Sequence, residues 1–169
     1  MPDNVDLKQL GFGGGCHWCT EALFDHLKGV TNVRQGWIKS IAPNDTFSEA
    51  VWINYDSKLI STETLVKIHL LTHASASDHR MRDKYRSAIY FLDEREQESL
   101  ISILNRLREE DGVNYLTQVL PFVEFELNNQ EFLDYFKTRP EAPFCQTHIH
   151  PKLRMLMQRF GKHMQDVRG

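Results

Sequence analysis

Residues 11–24 read Gly-Phe-Gly-Gly-Gly-Cys-His-Trp-Cys-Thr-Glu-Ala-Leu-Phe, and this stretch predicts a strand, a glycine-rich turn and a helix in immediate succession. The strand covers residues 7–13. Apolar residues then recur at helical spacing, at Cys16, Cys19, Leu23 and Leu27 with Phe24 alongside, until Gly29 stops the run. The turn delivers Cys16 to the first turn of that helix. A helix N-terminus offers free N–H groups and partial positive charge, and both favour thiolate over thiol.

Outward from this unit, Val30 to Lys39 reads as a strand and Phe47 to Tyr55 as another, with Ala50, Trp52 and Asn54 alternating against Val51, Ile53 and Tyr55. Ala42-Pro43-Asn44-Asp45 is the turn between them. Ser61 or Thr62 caps a helix running to about Thr72, and Ser87 to Leu92 is a fourth strand. The order β-α-β-β-α-β is a split βαβ, ferredoxin-like pattern. It predicts an α+β two-layer sandwich with a mixed or antiparallel sheet and helices on one face.

Glu94 to Glu110 is an amphipathic helix with Leu100, Ile103, Leu104 and Leu107 on one side. Val119 to Leu127 reads as an extra strand and Glu131 to Lys137 as a short helix. Pro140 and Pro143 predict an extended, exposed arm carrying Cys145, and Pro151 stands near the start of a last helix reaching about Met164. The expected organisation is a single catalytic domain over residues 1–169, with a core at 7–127 and a C-terminal arm and helix at 128–169 that wrap it.

The 169 residues suffice for a real core, and 41% hydrophobic and 25% charged residues suit a globular protein. A formal net charge of −3 supplies no basic field for nucleic acid. No apolar run approaches the ~20 residues of a membrane span. Met1-Pro-Asp-Asn-Val-Asp-Leu lacks the basic and apolar regions of a signal peptide, so a cytoplasmic protein with reduced thiols is expected. Three cysteines, an odd count, point to reactive thiols or a metal site rather than a disulfide framework.

Cys16 follows three glycines that leave the backbone open, which favours a reactive thiol over a buried helix cysteine. Cys19 makes C-x-x-C with it, either a dithiol redox pair or a thiol turned into the core. Cys145, in Ala-Pro-Phe-Cys-Gln-Thr-His-Ile-His-Pro, is a thiol able to swing toward another, or an incidental loop residue. Cys16, Cys19, Cys145 and His148 also have the composition of a Cys₃His zinc site. A zinc module is thus one alternative reading, and a general C-x-x-C disulfide oxidoreductase another.

Glu49 opens an apolar strand. Burial there raises a carboxyl pKa and lets it donate a proton near neutrality, whereas an edge-strand position would leave it solvated. Tyr85 and Tyr90 flank the fourth strand, where a phenol either donates to a polar substrate oxygen or packs on the sheet. The histidines at 69, 73, 79, 148 and 150 lack ligand spacing and read mostly as surface or cap residues.

Together these segments resemble the A-type peptide methionine sulfoxide reductase family. Gly15-Cys16-His17-Trp18 with Glu21 is similar to the family's Gly-Cys-Phe-Trp and helix Glu, and Lys28-Gly29-Val30 to the turn that follows. Glu49-Ala50-Val51 with Tyr55-Asp56 resembles its acid-bearing strand. Tyr85-Arg86-Ser87-Ala88-Ile89-Tyr90 matches a specific family segment. Phe144-Cys145-Gln146, with Ile149 and Pro151-Lys152-Leu153, looks like the C-terminal segment of members that keep a recycling cysteine. The likeness runs from about residue 8 to 160.

This chain also departs from the pattern. His17 stands for Phe, Phe47-Ser48 for His-Ala, and Ala74 for the Asp after the family's His, here His73. The loop before Glu49 is shorter and leaves the family's sulfoxide-binding Tyr without a counterpart. Asp78 to Asp83 is shorter than the corresponding family stretch, so the family's Asp there finds no single match.

The resemblance implies reduction of methionine-S-sulfoxide, free or in proteins, without a cofactor. Cys16 thiolate would attack the sulfoxide sulfur, and Glu49 would supply the proton with help from Tyr85. Trp18 would wall the methyl group, with His17 beside it in the substrate site. Cys16 would become a sulfenic acid and condense with a second thiol, Cys145 or its rival Cys19, before thioredoxin or a similar dithiol reduces the disulfide.

Overall fold

The computed structural model describes residues 7–73, 75, 76 and 84–165. The readings made at Ala74, His79 and the rest of 78–83 lie outside them.

Strand β1 (Leu7–Gly13) leads through the glycine turn into helix α1 (His17–Asp25). Strands β2 (Val30–Lys39) and β3 (Ser48–Asp56) follow, then helix α2 (Thr62–Leu71) and strand β4 (Ala88–Phe91). Ser61 caps α2 by accepting the Thr64 N–H at 3.1 Å. Helix α3 (Arg95–Asp111) buries Leu100, Ile103, Leu104 and Leu107, the side its periodicity marks, and ends at Gly112 with φ +63°. Short strands β5 (Gln118–Pro121) and β6 (Glu124–Leu127) come next, then helices α4 (Tyr135–Thr138) and α5 (His150–Phe160). None of the described helices is long and apolar enough to cross a membrane.

The sheet order is β5-β4-β1-β3-β2-β6. Its middle four strands are antiparallel neighbours in the order of the split βαβ core, so the α+β architecture agrees with the sequence pattern. The alternation along β3 sorts its side chains: Val51, Ile53 and Tyr55 join the core beneath the helices, and Ala50 and Trp52 a smaller cluster on the opposite face.

The single strand expected at 119–127 is two strands on opposite edges. Strand β5 lies parallel to β4, and β6 antiparallel to β2. The chain crosses between the edges at Pro121, which has no N–H for a ladder, and carries Leu120, Phe122 and Phe125 onto the face of Trp52 and Tyr90. That second face is therefore covered by chain rather than by helices.

The helix expected at 131–137 is broken. A 3₁₀ turn at Gln130–Phe132 and α4 are separated by Asp134, whose φ is +55°. The C-terminal segment departs most from expectation. Cys145 is buried, not on an exposed arm, in a π-helical turn (Cys145–Ile149) that runs straight into α5. Its apolar stripe explains this: Cys145, Ile149, Leu153 and Leu156 all enter the main core. The His150 N–H reaches back five residues to the Cys145 carbonyl, just before Pro151 removes a donor from the start of α5.

Candidate active site

Strand β1 sets the position of Cys16. Its last residue, Gly13, lies between Ala50 of β3 and Ala88 of β4, so the turn leaves the sheet beside Glu49 and the residues preceding β4. Gly14 has φ +140°, and a Cβ there would stand 2.5 Å from the His73 ring, so only glycine fits. His69 is fully buried, against its reading as a surface residue, and its Nε2 lies 2.7 Å from the Gly13 carbonyl. Burial, then the neighbouring His73, holds the His69 imidazole well below its usual pKa. The neutral ring thus donates to the glycine turn.

Cys16 is the residue before the first helical position, with φ −60° and ψ 128°, and its carbonyl accepts the Cys19 and Thr20 N–H groups at 3.1 Å each. Its half-buried sulfur is lowered in pKa chiefly by the Cys19 thiol, and further by the Trp18 and Cys19 N–H groups; burial and the Glu49 charge oppose this. Cys19 is the mirror image. Its thiol is held far up by donating to Cys16, then by burial, and Cys145 is close enough to act on it electrostatically. The two thiols are thus pushed apart in pKa, Cys16 toward the thiolate and Cys19 toward the thiol. Cys145 itself is raised by burial. The structure thus brings Cys16 and Cys19 together and buries Cys145 in the same core as Cys19.

Glu49 lies on an interior strand and is only 6% exposed, which removes the solvated edge alternative. One carboxylate oxygen accepts the His17 N–H at 3.2 Å and lies 3.4 Å from the His17 Nε2; the other lies 3.4 Å from the Lys84 ammonium. Lys84, unrecognised in the sequence, is raised in pKa by Tyr85 and then by Glu49, with its ammonium 5.2 Å from the centre of the Tyr85 ring. Tyr85 is half-buried, so the two tyrosines part ways. Tyr90 is wholly buried on the second face, where its hydroxyl accepts from the Arg86 Nε at 3.0 Å.

Trp18 stacks flat on Tyr135, with ring centroids 4.2 Å apart and planes within 2°, and meets the edge of Phe144. The expected methyl wall is thus one plate of an aromatic cluster shared with the C-terminal segment. Glu21 anchors that segment: its buried carboxylate accepts the Asp134 and Tyr135 N–H groups and the Gln35 amide. Gln35 in turn meets Asn128 at 2.7 Å, and the Asn128 amide lies 3.4 Å from the His17 Nε2. Gln35, Asn128 and Tyr135 carry no local motif and were missed; only the fold joins them. Among the described residues no group of three or more His, Cys, Asp or Glu side chains is arranged to hold a metal ion, and His148 is exposed.

A cysteine lowered in pKa at a helix start beside a buried carboxyl is an arrangement suited to thiol chemistry. The model of the family described as peptide methionine sulfoxide reductase matches residues 8–164. The chain belongs to this family. A relative named peptide methionine sulfoxide reductase MsrA, from Psychrobacter sp. (strain PRwf-1), is 32% identical over 174 residues, covering 94% of this chain and 99% of the relative. Among solved structures, reduced Mxr1 from Saccharomyces cerevisiae has TM-score 0.68 at 20% identity, covering 86% of this chain and 93% of that one. Mxr1 in complex with Trx2 has TM-score 0.56 at 18% identity, covering 79% and 87%. The fold is shared with these structures, and the enzyme is a peptide-methionine sulfoxide reductase that reduces methionine sulfoxide.

Proposed function

We propose that the reductase acts on the S epimer of methionine sulfoxide through a sulfenic acid on Cys16. The single observation that carries this reading is the Cys16 sulfur, depressed in pKa at the start of α1, with the Glu49 carboxyl bound to the next N–H along. The thiolate takes the sulfoxide oxygen, while a proton from Glu49 makes that oxygen transferable, with Tyr85 and Lys84 beside the carboxyl. Trp18 and its aromatic neighbours bound the methyl group, and His17 stands beside Glu49.

Cys19 is the first partner for the sulfenic acid, because its thiol already faces Cys16. Cys16 stands outside the helix proper, so the bond need not unwind the first turn. Cys145, buried in the same core as Cys19, is the second partner. A thioredoxin-type dithiol then reduces the disulfide; the Mxr1 complex with Trx2 supports this choice of partner. Free and protein-bound sulfoxide are both substrates in this reading.

The test is turnover of resolved S and R sulfoxides with dithiothreitol, and mass spectrometry after one turnover without reductant. The S epimer should be consumed and oxidation should map to Cys16. Preference for the R epimer, or oxidation elsewhere, overturns the proposal.

A further inference from the structure

Helix α2 ends against the glycine turn. The buried His69 ring stands edge-on to Phe12 of β1, with centroids 5.1 Å apart. Its Nε2 lies 2.7 Å from the Gly13 carbonyl. A carbonyl can only accept, so that nitrogen carries the proton. Nδ1 meets no hydrogen-bond partner among the described residues. A second proton there would be buried without an acceptor, with the His73 ring centroid 4.3 Å from its own. His69 is therefore a neutral donor committed to the turn.

His73 stands two residues past the helix. Its Nδ1 donates to the His69 carbonyl, and its Nε2 lies 2.8 Å from the Ser87 hydroxyl, which lies 2.7 Å from that of Thr117. With His73 neutral, Thr117 donates to Ser87 and Ser87 to His73; with His73 charged, both bonds reverse. The chain holds in either state. At one end it fills the space beside Gly14 and Gly15, where added Cβ atoms would stand 2.5 and 3.4 Å from His73. At the other end, Ser87 follows directly on Lys84-Tyr85-Arg86. That segment is pinned to β3. The Lys84 carbonyl accepts the Glu49 N–H and the Ser48 hydroxyl, each at 2.8 Å, and the Ser48 oxygen accepts the Arg86 N–H at 2.7 Å.

These contacts meet at Gly13. A Cβ on it would stand 3.0 Å from the Arg86 carbonyl oxygen and 3.1 Å from that of Glu49. The turn that carries Cys16, the strand that carries Glu49 and the segment that carries Tyr85 thus touch backbone to backbone at one residue. A run of glycines has no side chains to hold it and wide conformational freedom, so its position has to come from its neighbours. We propose that His69 and His73 are positioning residues for the reaction: from the end of α2 they lock the glycine turn and, through Ser87, fix it against the Lys84–Arg86 segment beside Glu49. This rests on the reading that Cys16 is the nucleophile and Glu49 the donor.

Nucleophile and acid must reach one sulfoxide group together, and a misplacement of about 1 Å can cost ~10²-fold in rate. The donors that depress the Cys16 sulfur, by contrast, are the Cys19 thiol and the Trp18 and Cys19 N–H groups, all at the head of α1 beside it. The clamp therefore governs where the thiolate stands, not whether it forms.

The experiment compares single-turnover loss of sulfoxide with iodoacetamide alkylation of Cys16 and Cys19 in wild type, H69F, H69Q and S87A, with C16S and E49Q as controls. Phenylalanine keeps the ring's bulk without the donor, glutamine restores an amide N–H toward Gly13, and S87A cuts the chain to the Lys84–Arg86 segment. H69F and S87A should reduce sulfoxide about 10–10²-fold more slowly at saturating substrate, with the half-saturating concentration within about twofold of wild type. The shape of their pH profile and the alkylation of both thiols should match wild type, and H69Q should recover most of the H69F loss. A wild-type rate in either H69F or S87A, where it folds, overturns the inference. So does a slow rate accompanied by faster alkylation of the buried Cys19, or an H69Q no faster than H69F, since the histidines then only hold the fold together. If C16S or E49Q consumes sulfoxide at the wild-type rate, the underlying reading of the site falls, whatever the clamp variants do.

Discussion

Cys16 and Cys145 are thiols of one molecule in opposite surroundings. Cys16 sits at an open turn, half-exposed, with N–H and S–H donors facing its sulfur. Cys145 sits wholly inside the core, raised in pKa by burial alone but for a modest pull from Arg139. The difference shows that donors and access, not the thiol itself, make a cysteine reactive. It also implies an order of events. In the proposed mechanism Cys16 is accessible at rest, whereas Cys145 becomes accessible only when its turn loosens from the core.

The sharpest break of this comparison is kinetic. C16S should abolish sulfoxide reduction, while C145S should complete its first turnover at the wild-type rate, followed by rapid quench and loss of substrate sulfoxide. A first turnover slowed equally in both variants would erase the distinction between the two sites.

A smaller effect comes from the anchor between the regions. Glu21 ties the Asp134 and Tyr135 N–H groups to α1, and hydrogen bonds to a buried charged group contribute roughly 1.5–3 kcal/mol. E21Q should therefore loosen the C-terminal segment by about 2 kcal/mol, or ~30-fold in opening. Alkylation of Cys145 should speed up by that factor, with Cys16 alkylation unchanged. Equal acceleration at both thiols would mean that Glu21 supports the whole domain.

The smallest effect is a shift along the pH axis. The Cys19 thiol is the largest influence holding Cys16 below an ordinary cysteine, so Cys16 reacts as thiolate at a pH where a free thiol is still protonated. C19A removes that donor, and the midpoint of Cys16 alkylation should move to higher pH, with slower alkylation at neutrality. An unmoved midpoint would assign the depression to the helix N–H groups alone.

Legibility followed sequence distance. The unit from Leu7 to Asp25 was readable because glycine tolerance, helix periodicity and the strand alternation act within a few residues. Strands β2 and β3, α2, α3 and the four-strand core order followed from the same local signals. The split of 118–127 between two sheet edges was not readable, because one apolar run satisfies one long strand as well as two short ones; only Pro121 hinted at a break. His69 looked like any helix histidine until the Gly13 carbonyl was seen to need a donor. Cys145 was misplaced because two prolines argue locally for an extended arm, and the stripe of Ile149, Leu153 and Leu156 overrides them only when there is a core to meet.

The sequence by itself determined the α+β frame and the placing of Cys16 at a helix start beside Cys19. Both follow from backbone preference and from spacing within one helical turn. Tertiary structure alone decided which groups face that sulfur's neighbour Glu49. His17, Lys84 and, through His17, Asn128 are drawn from three separate segments by the pairing of β1, β3 and β4 and by the return of the chain along β6. A buried carboxyl takes its character from the charges and donors around it, and those are set by packing between residues far apart in the chain.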